Sequence, residues 1–236
     1  MDKRVQDARA AIADVGDGAR ILVGGFGLCG TPENLIAALR DKGARDLTII
    51  ANNAGTDEHG IGLLLKNGQV RKMIMSYGGE CKAFEEMALS GKLEVEWTPQ
   101  GTLAERIRAG GAGIGGFFTP TGYGTLVAEG KETRKIDGRW HVLEAPLRAD
   151  FAFVKARQGD VLGNLVYRRT TRNFNQVMAT AATVAIAEVE ELLPAGSLDG
   201  DRIHTPGAYI DRIFQGKSYV KPIEKRTVRK REASIG

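Results

Sequence analysis

The sequence predicts an α/β fold: an open, mostly parallel sheet flanked by helices and interrupted by a β-hairpin insertion. Three observations predict it. Short apolar runs such as Ile21-Leu22-Val23 and Leu47-Thr48-Ile49-Ile50 alternate with segments of helical periodicity. The first run passes abruptly into a helix start through Gly24-Gly25-Phe26-Gly27-Leu28-Cys29-Gly30-Thr31-Pro32. Asp137-Gly138, between two strand-like stretches, is the clearest short hairpin signal in the chain.

Taken in order, residues 4–15 place Val5, Ala8, Ile12 and Val15 on one helical face, ended by Asp14 to Gly18. Ile21-Leu22-Val23 is the first strand. After the glycine-rich turn, Thr31 reads as N-cap and Pro32 as the first helical residue, with Leu35, Ile36 and Leu39 as the buried stripe and Gly43 as the stop. Residues 47–50 form the second strand, parallel to the first by the handedness of βαβ units. An apolar patch at Ile61, Leu64 and Leu65, a strand over 70–76, a helix over 80–89 and a half-exposed strand over 93–97 continue the alternation. Thr102 and Glu105 read as a capping box for a helix carrying Leu103, Ala104 and Ile107. Residues 110–124 are too rich in glycine for a regular element. The hairpin pairs 132–136 with 139–143, and strands follow at 151–154, 165–167 and 183–189.

The chain has 236 residues, 42% hydrophobic, enough for one large α/β domain or two small ones. No linker or repeat divides it, so residues 1–216 read as a single domain and 217–236 as a basic C-terminal tail. Formal net charge is +4, and the tail concentrates Lys217, Lys221, Lys225, Arg226, Arg229, Lys230 and Arg231 against Glu224 and Glu232, leaving a nearly neutral body. Such an end reads as solvated or as a contact between subunits, so no nucleic-acid partner is expected. No run reaches the roughly 18 apolar residues of a membrane span. Met1-Asp2-Lys3-Arg4 opens a charged segment in place of a signal core, and Cys29 and Cys81 suit a reducing compartment, so a cytoplasmic location is expected.

Glycine at four of the seven positions 24–30 permits positive φ and close approach of a ligand, and unpaired N–H groups at the next helix start favour an anion. The turn is therefore either a cradle for phosphate or carboxylate or a tight bend that packs a helix on the sheet. Asn52 and Asn53 end the second strand on the same rim, where their amides either bind a carbonyl or carboxylate or simply form a turn. Gln100 is a third amide beyond a strand end, able to polarise a thioester or anhydride carbonyl without carrying charge. Cys29 is either a nucleophile near a helix N-terminus or a small residue packed under the turn. A dinucleotide fingerprint is incomplete, because no acidic residue lies at 48–52. His59, His141 and His204 stand in no metal-binding spacing, and no Gly-x-Ser-x-Gly elbow is present. The residues describe half of an active site.

The stretch 24–36, Asn52-Asn53-x-Gly55, Gly62-Leu63-Leu64-Leu65, Ser90 to Glu96, the block Thr98 to Gly111, Gly163-Asn164-Leu165 and Asn173-Phe174-Asn175 together resemble the first (A, or α) subunit of family I CoA-transferases over nearly the whole chain. Ser76-Tyr77-Gly78-Gly79-Glu80-Cys81 stands where that pattern has Ser-Tyr-Val-Gly-Glu-Asn. Leu28-Cys29-Gly30 and Ile223 to Val228 are most similar to the branch acting on succinyl-CoA and 3-oxoacids, while Gly124 to Arg134 is equally similar to the 3-oxoadipate branch. The resemblance implies the Rossmann-like CoA-transferase fold and a ping-pong transfer through a glutamyl-CoA thioester. Its glutamate is expected in a Ser-Glu-Asn-Gly motif of a B subunit, within an A2B2 heterotetramer. This chain would supply Gly24, Gly25, Phe26, Gly27, Leu28, Cys29 and Gly30 toward CoA, Gln100 as oxyanion donor, and Asn52 and Asn53 beside the acyl group. CoA enters as a substrate, and neither a resident cofactor nor a metal is expected. The alternatives are the corresponding half of a 3-oxoadipate transferase and a non-catalytic CoA- or anion-binding module of the same fold.

Overall fold

The computed structural model describes residues 1–220 and 222. Its elements are α1 (Ala8–Ala11), β1 (Arg20–Val23), α2 (Glu33–Lys42), β2 (Leu47–Ile50), α3 (Gly62–Lys66), β3 (Val70–Met75), α4 (Lys82–Leu89), β4 (Glu94–Trp97) and α5 (Gln100–Ala112). They continue with β5 (Phe117–Thr119), β6 (Thr133–Ile136), β7 (Arg139–Glu144), β8 (Ala149–Asp160), β9 (Leu165–Val166), α6 (Asn173–Met178), β10 (Ala182–Leu193) and β11 (Arg212–Gln215).

Seven strands form one parallel sheet in the order β11-β10-β8-β1-β2-β3-β4, and β9 adds an antiparallel turn-back against β8. From β1 the strand order runs one way through β2, β3 and β4 and the other way through β8, β10 and β11. Chains that leave the carboxyl ends on either side of such a switch point diverge and open a crevice, and the glycine-rich turn leaves β1 there.

Side chains alternate between the two faces of each strand, so one strand feeds two cores. Ile21, Val23, Ile49, Met73 and Phe153 pack with α2 residues Leu35, Ile36 and Leu39 on one face. Leu22, Ile50, Ile74, Ala152 and Val154 pack with Leu103 and Ile107 of α5 and Phe174 and Met178 of α6 on the other. With both faces covered, Leu47 to Ile50 is buried throughout, which accounts for a run that is apolar on both faces except at Thr48. The hairpin forms as expected: Asp137 and Gly138 both have positive φ, +48° and +78°, and β5 completes a small antiparallel sheet, β5-β7-β6. Arg106, nearly buried, ties this sheet to the body by donating to Glu96 Oε1 (2.8 Å) and Ala145 O (2.9 Å).

The structure departs from the sequence reading at several places. The first helix is a single turn, Ala8–Ala11, because Asp7 caps it late by accepting from Ala10 N (2.9 Å), while Arg4 bridges to Ile213 at the sheet edge. Thr102 and Glu105 form no capping box: α5 already starts at Gln100, so Thr102 is buried inside its first turn and Glu105 pairs with Arg108 at 2.8 Å. Residues 110–124 are not irregular throughout: 117–119 form β5 against β7, and 110–112 stay helical because the absence of a side chain lets α5 touch its neighbour; a Cβ on Gly110 would lie 1.9 Å from Leu147 O. Finally, β8 and β10 run for twelve residues each, far beyond their apolar cores, since the polar ends pair across the ladder, as in Lys155 to Glu190 (2.9 Å). Of the basic tail, Lys217–Val220 and Pro222 are described and line the carboxyl rim; the rest lies outside the described residues.

Candidate functional site at the carboxyl rim

Within the turn after β1, Gly25, Gly27 and Gly30 adopt φ of +119°, +57° and +77°, values unfavourable to residues with a side chain. Phe26 and Cys29 exchange both backbone hydrogen bonds (3.0 and 2.9 Å), which makes the turn a miniature hairpin with Gly27 and Leu28 at its tip. Fully buried Asn175 anchors its base. Its Nδ2 donates to Gly30 O and Thr171 O, both at 2.9 Å, and its Oδ1 accepts from Lys155 N at 2.8 Å.

The helix that follows begins at Glu33, with Pro32 rather than Thr31 at the cap position. Pro32 offers no side-chain acceptor, and the helix start is not left open to an external anion. Glu188 of β10 fills that place: its Oε2 accepts from Leu35 N (2.9 Å) and its Oε1 from Asn34 Nδ2 (3.1 Å). Burial pushes the Glu188 carboxyl up to about 7, against the hydrogen bonds from Leu35 and Asn34.

The three amides singled out by the sequence come together. Gln100, the first residue of α5, donates from Nε2 to Asn52 Oδ1 (3.0 Å). Asn52 donates from Nδ2 to Asn53 Oδ1 (3.1 Å), and Asn53 Oδ1 also accepts from Gly27 N at the tip of the turn (2.9 Å). Ser76 Oγ, donating to Asn52 Oδ1 (2.9 Å), fixes the middle of this row. Asn52 and Asn53 are buried while Gln100 is exposed, so the row runs from the interior to an open end. An amide NH₂ carries two donors, and Asn52 takes one of those on Gln100.

On the β8–β10 side, the turn borders a cleft of about 800 Å³, shared through Phe26, Leu28, Cys29 and Gly30. None of Asn52, Asn53 and Gln100 lines it. Its other walls include Glu80, Lys155, Glu190, the turn Arg168 to Thr171, and Lys217 to Val220. Cys29 Sγ is 3.1 Å from Thr170 Oγ1, and Asn173 Nδ2 donates to Cys29 O (2.9 Å), so the sulfur packs against a neighbouring turn. Cys81 is buried, and burial pushes its thiol up to about 11. Glu33 also faces the cleft. Its Oε2 accepts from Gly60 N (3.3 Å), its buried Oε1 has no hydrogen-bond partner among the described residues, and burial raises its carboxyl above the usual range. The sequence reading passed over Lys155, Arg168 and Arg169, although Arg168-Arg169 lies four residues before the Asn173-Phe174-Asn175 motif.

Comparisons with known proteins agree with this architecture. A family model described as coenzyme A transferase matches residues 5–216. The A subunit of the succinyl-CoA:3-ketoacid coenzyme A transferase of Xanthomonas campestris pv. campestris is 58% identical over 228 residues, covering 96% of this chain and 94% of that protein. The mitochondrial succinyl-CoA:3-ketoacid coenzyme A transferase 2A of Rattus norvegicus is 46% identical over 94% of this chain, which spans only 46% of that protein. Among solved structures, the acyl-CoA transferase YdiF apoenzyme of Escherichia coli O157:H7 superposes with a TM-score of 0.82 at 22% identity, over 90% of this chain and 46% of that one, and so supports the fold.

Proposed function

Because the chain belongs to the coenzyme A transferase family, we propose that it is the A subunit of a 3-oxoacid CoA-transferase, moving CoA from succinyl-CoA to a 3-oxoacid such as acetoacetate. The observation that carries this reading is the row Gln100–Asn52–Asn53–Gly27, a line of neutral hydrogen-bond groups at the rim beside the glycine-rich turn. The name and 58% identity of the Xanthomonas protein support the substrate class and partnership with a B subunit, with A2B2 as the assembly proposed. That this chain matches 46% of the mitochondrial relative agrees with an active site shared between two such halves.

In the proposed reaction a glutamate carboxylate attacks the succinyl-CoA carbonyl and CoA thiolate departs, leaving a mixed anhydride. The thiolate then attacks the glutamyl carbonyl, succinate leaves, and a glutamyl-CoA thioester remains. The 3-oxoacid carboxylate reverses the sequence through a second anhydride and takes CoA, restoring the glutamate. Because this chain has no Ser-Glu-Asn-Gly motif, the glutamate is assigned to the B subunit. Every acyl exchange passes through a tetrahedral oxyanion. We assign donation to that oxygen to the remaining N–H of Gln100, which adds no charge; the hydrogen bond that orients this side chain on Asn52 supports the assignment. Asn52 and Asn53 hold this donor and border the acyl group, and the turn 24–30 faces CoA.

Steady-state kinetics of the assembled complex with acetoacetate and with 3-oxoadipate tests the acceptor. A higher kcat/KM for acetoacetate is expected; preference for 3-oxoadipate would assign the chain to the second branch indicated by residues 124–134.

A further inference from the structure

The cleft on the β8–β10 side of the glycine-rich turn has a composition that the amide row does not explain. Three carboxylates line it, Glu33, Glu80 and Glu190. Glu190 is matched by Lys155 at 2.9 Å, and burial raises the Glu33 carboxyl above the usual range. Arg168 and Arg169 are exposed and form no ion pair among the described residues, and Lys217 stands at the same opening. Arg169 has φ of +53°, a conformation rarely adopted by a residue with a long side chain and concentrated at ligand sites.

This arginine turn is bolted to the glycine-rich turn. Asn173 Nδ2 donates to both Cys29 O (2.9 Å) and Thr170 O (2.7 Å), and Asn175 Nδ2 joins Gly30 O to Thr171 O. Gly30 makes the approach possible, since a Cβ there would lie 3.1 Å from Thr171 Cα. Apolar surface faces the cations. Phe26 is 50% exposed, Val220 is 76% exposed, and the Tyr219 ring lies under Lys155 Nζ at 4.4 Å. Paired guanidinium groups beside flat apolar walls suit a ligand that combines phosphates with an aromatic base.

We propose that this cleft takes the phosphorylated nucleotide end of the acyl-CoA, with Arg168 and Arg169 as its phosphate clamp. The inference rests on the transferase reading above and adds the part of the substrate that the clamp recognises. The carrier then runs from the amide row past Phe26 into the cleft, so the turn 24–30 separates the reacting end from the recognised end.

The test uses the assembled complex with Arg168→Gln and Arg169→Asn, singly and together; asparagine tolerates positive φ, so the turn keeps its shape. Each lost charge-assisted hydrogen bond corresponds to about a ten-fold effect or more. KM for succinyl-CoA is expected to rise about ten- to hundred-fold in the double variant, far more than kcat falls, and the effect should vanish with succinyl-pantetheine, which has no nucleotide. Equal shifts for both thioesters, no shift for either, or failure of the variants to assemble with the B subunit would overturn the clamp. Calorimetric titration with CoA and with pantetheine separates this inference from its premise. An inactive wild-type complex whose variants still lose affinity for CoA and not for pantetheine keeps the clamp and discards the transferase reading. An active complex whose variants bind CoA as tightly as wild type discards the clamp.

Discussion

Gln100 Nε2 donates to Asn52 Oδ1 across 3.0 Å, so a residue at the open start of α5 is oriented by a buried residue at the end of β2. If the remaining N–H stabilises the oxyanion, Gln100→Ala lowers kcat by about 10²–10³, the scale of one lost donor. Asn52→Ala leaves the donor present but unaimed and should cost about ten-fold, a partial loss of the same stabilisation. Steady-state kinetics of the assembled complex checks both. A rise in KM with unchanged kcat in Gln100→Ala would make the residue a binding group instead.

Gly24 and Asn175 test the anchoring of the turn. A Cβ on Gly24 would stand 1.9 Å from Asn175 Oδ1, so Gly24→Ala displaces the amide that holds Gly30 O, Thr171 O and Lys155 N. Asn175→Ala leaves those groups without their partner and is expected to cost about 2–4 kcal/mol in urea unfolding. Asn175→Asp keeps the acceptor for Lys155 N but turns a carboxylate oxygen toward two carbonyls, and is expected to destabilise at neutral pH as well.

Glu188 gives a pH dependence with a definite sign. Its carboxyl titrates near the usual 4.5 when unfolded and near about 7 when folded, because burial outweighs the donors Leu35 N and Asn34 Nδ2 and the nearby Lys155. Between those values the folded protein holds a proton that the unfolded chain has released. Its contribution is therefore complete below pH 4.5 and lost as pH rises through about 7. The full span corresponds to about 3 kcal/mol. Urea titrations at pH 5 and pH 8 should show this loss, and Glu188→Gln should flatten it; an unchanged slope in the variant would show that Glu188 is ionised throughout.

Much of the fold was legible because it rests on local signals. The apolar runs at 21–23 and 47–50 mark strands buried on both faces, and Asp137-Gly138 supplies the two positive φ values of a tight hairpin. The parts that were not legible depend on partners distant in sequence. The cap of α2 comes from Glu188, so the local Thr31-Pro32 signal misplaced it. The outer halves of β8 and β10 look too polar for strands until Lys155 meets Glu190. At the site, Asn52, Asn53 and Gln100 could be read as amides near strand ends, but their connection into one row depends on the register of β2 with β3 and on the start of α5. Arg168 and Arg169 carried no element signal of their own; only the hydrogen bonds of Asn173 and Asn175 bring them to the turn.

The two cysteines should differ in reactivity. Cys29 lines the cleft, whereas Cys81 is buried with its thiol raised to about 11. Iodoacetamide at pH 7.5 should label Cys29 first, with Cys81 following only on unfolding, and CoA should slow labelling of Cys29. Labelling unaffected by saturating CoA would contradict a CoA-facing role for residues 28–30.

The division of labour between the two chains is tested most directly by reconstitution, with acetoacetyl-CoA formation from succinyl-CoA and acetoacetate measured for this chain by itself, for the B subunit by itself and for their mixture. The account predicts turnover only in the mixture, with mass spectrometry of the succinyl-CoA-treated complex locating CoA on a glutamate of the B subunit. Turnover by this chain without its partner, or a CoA thioester on one of its own glutamates, would contradict it.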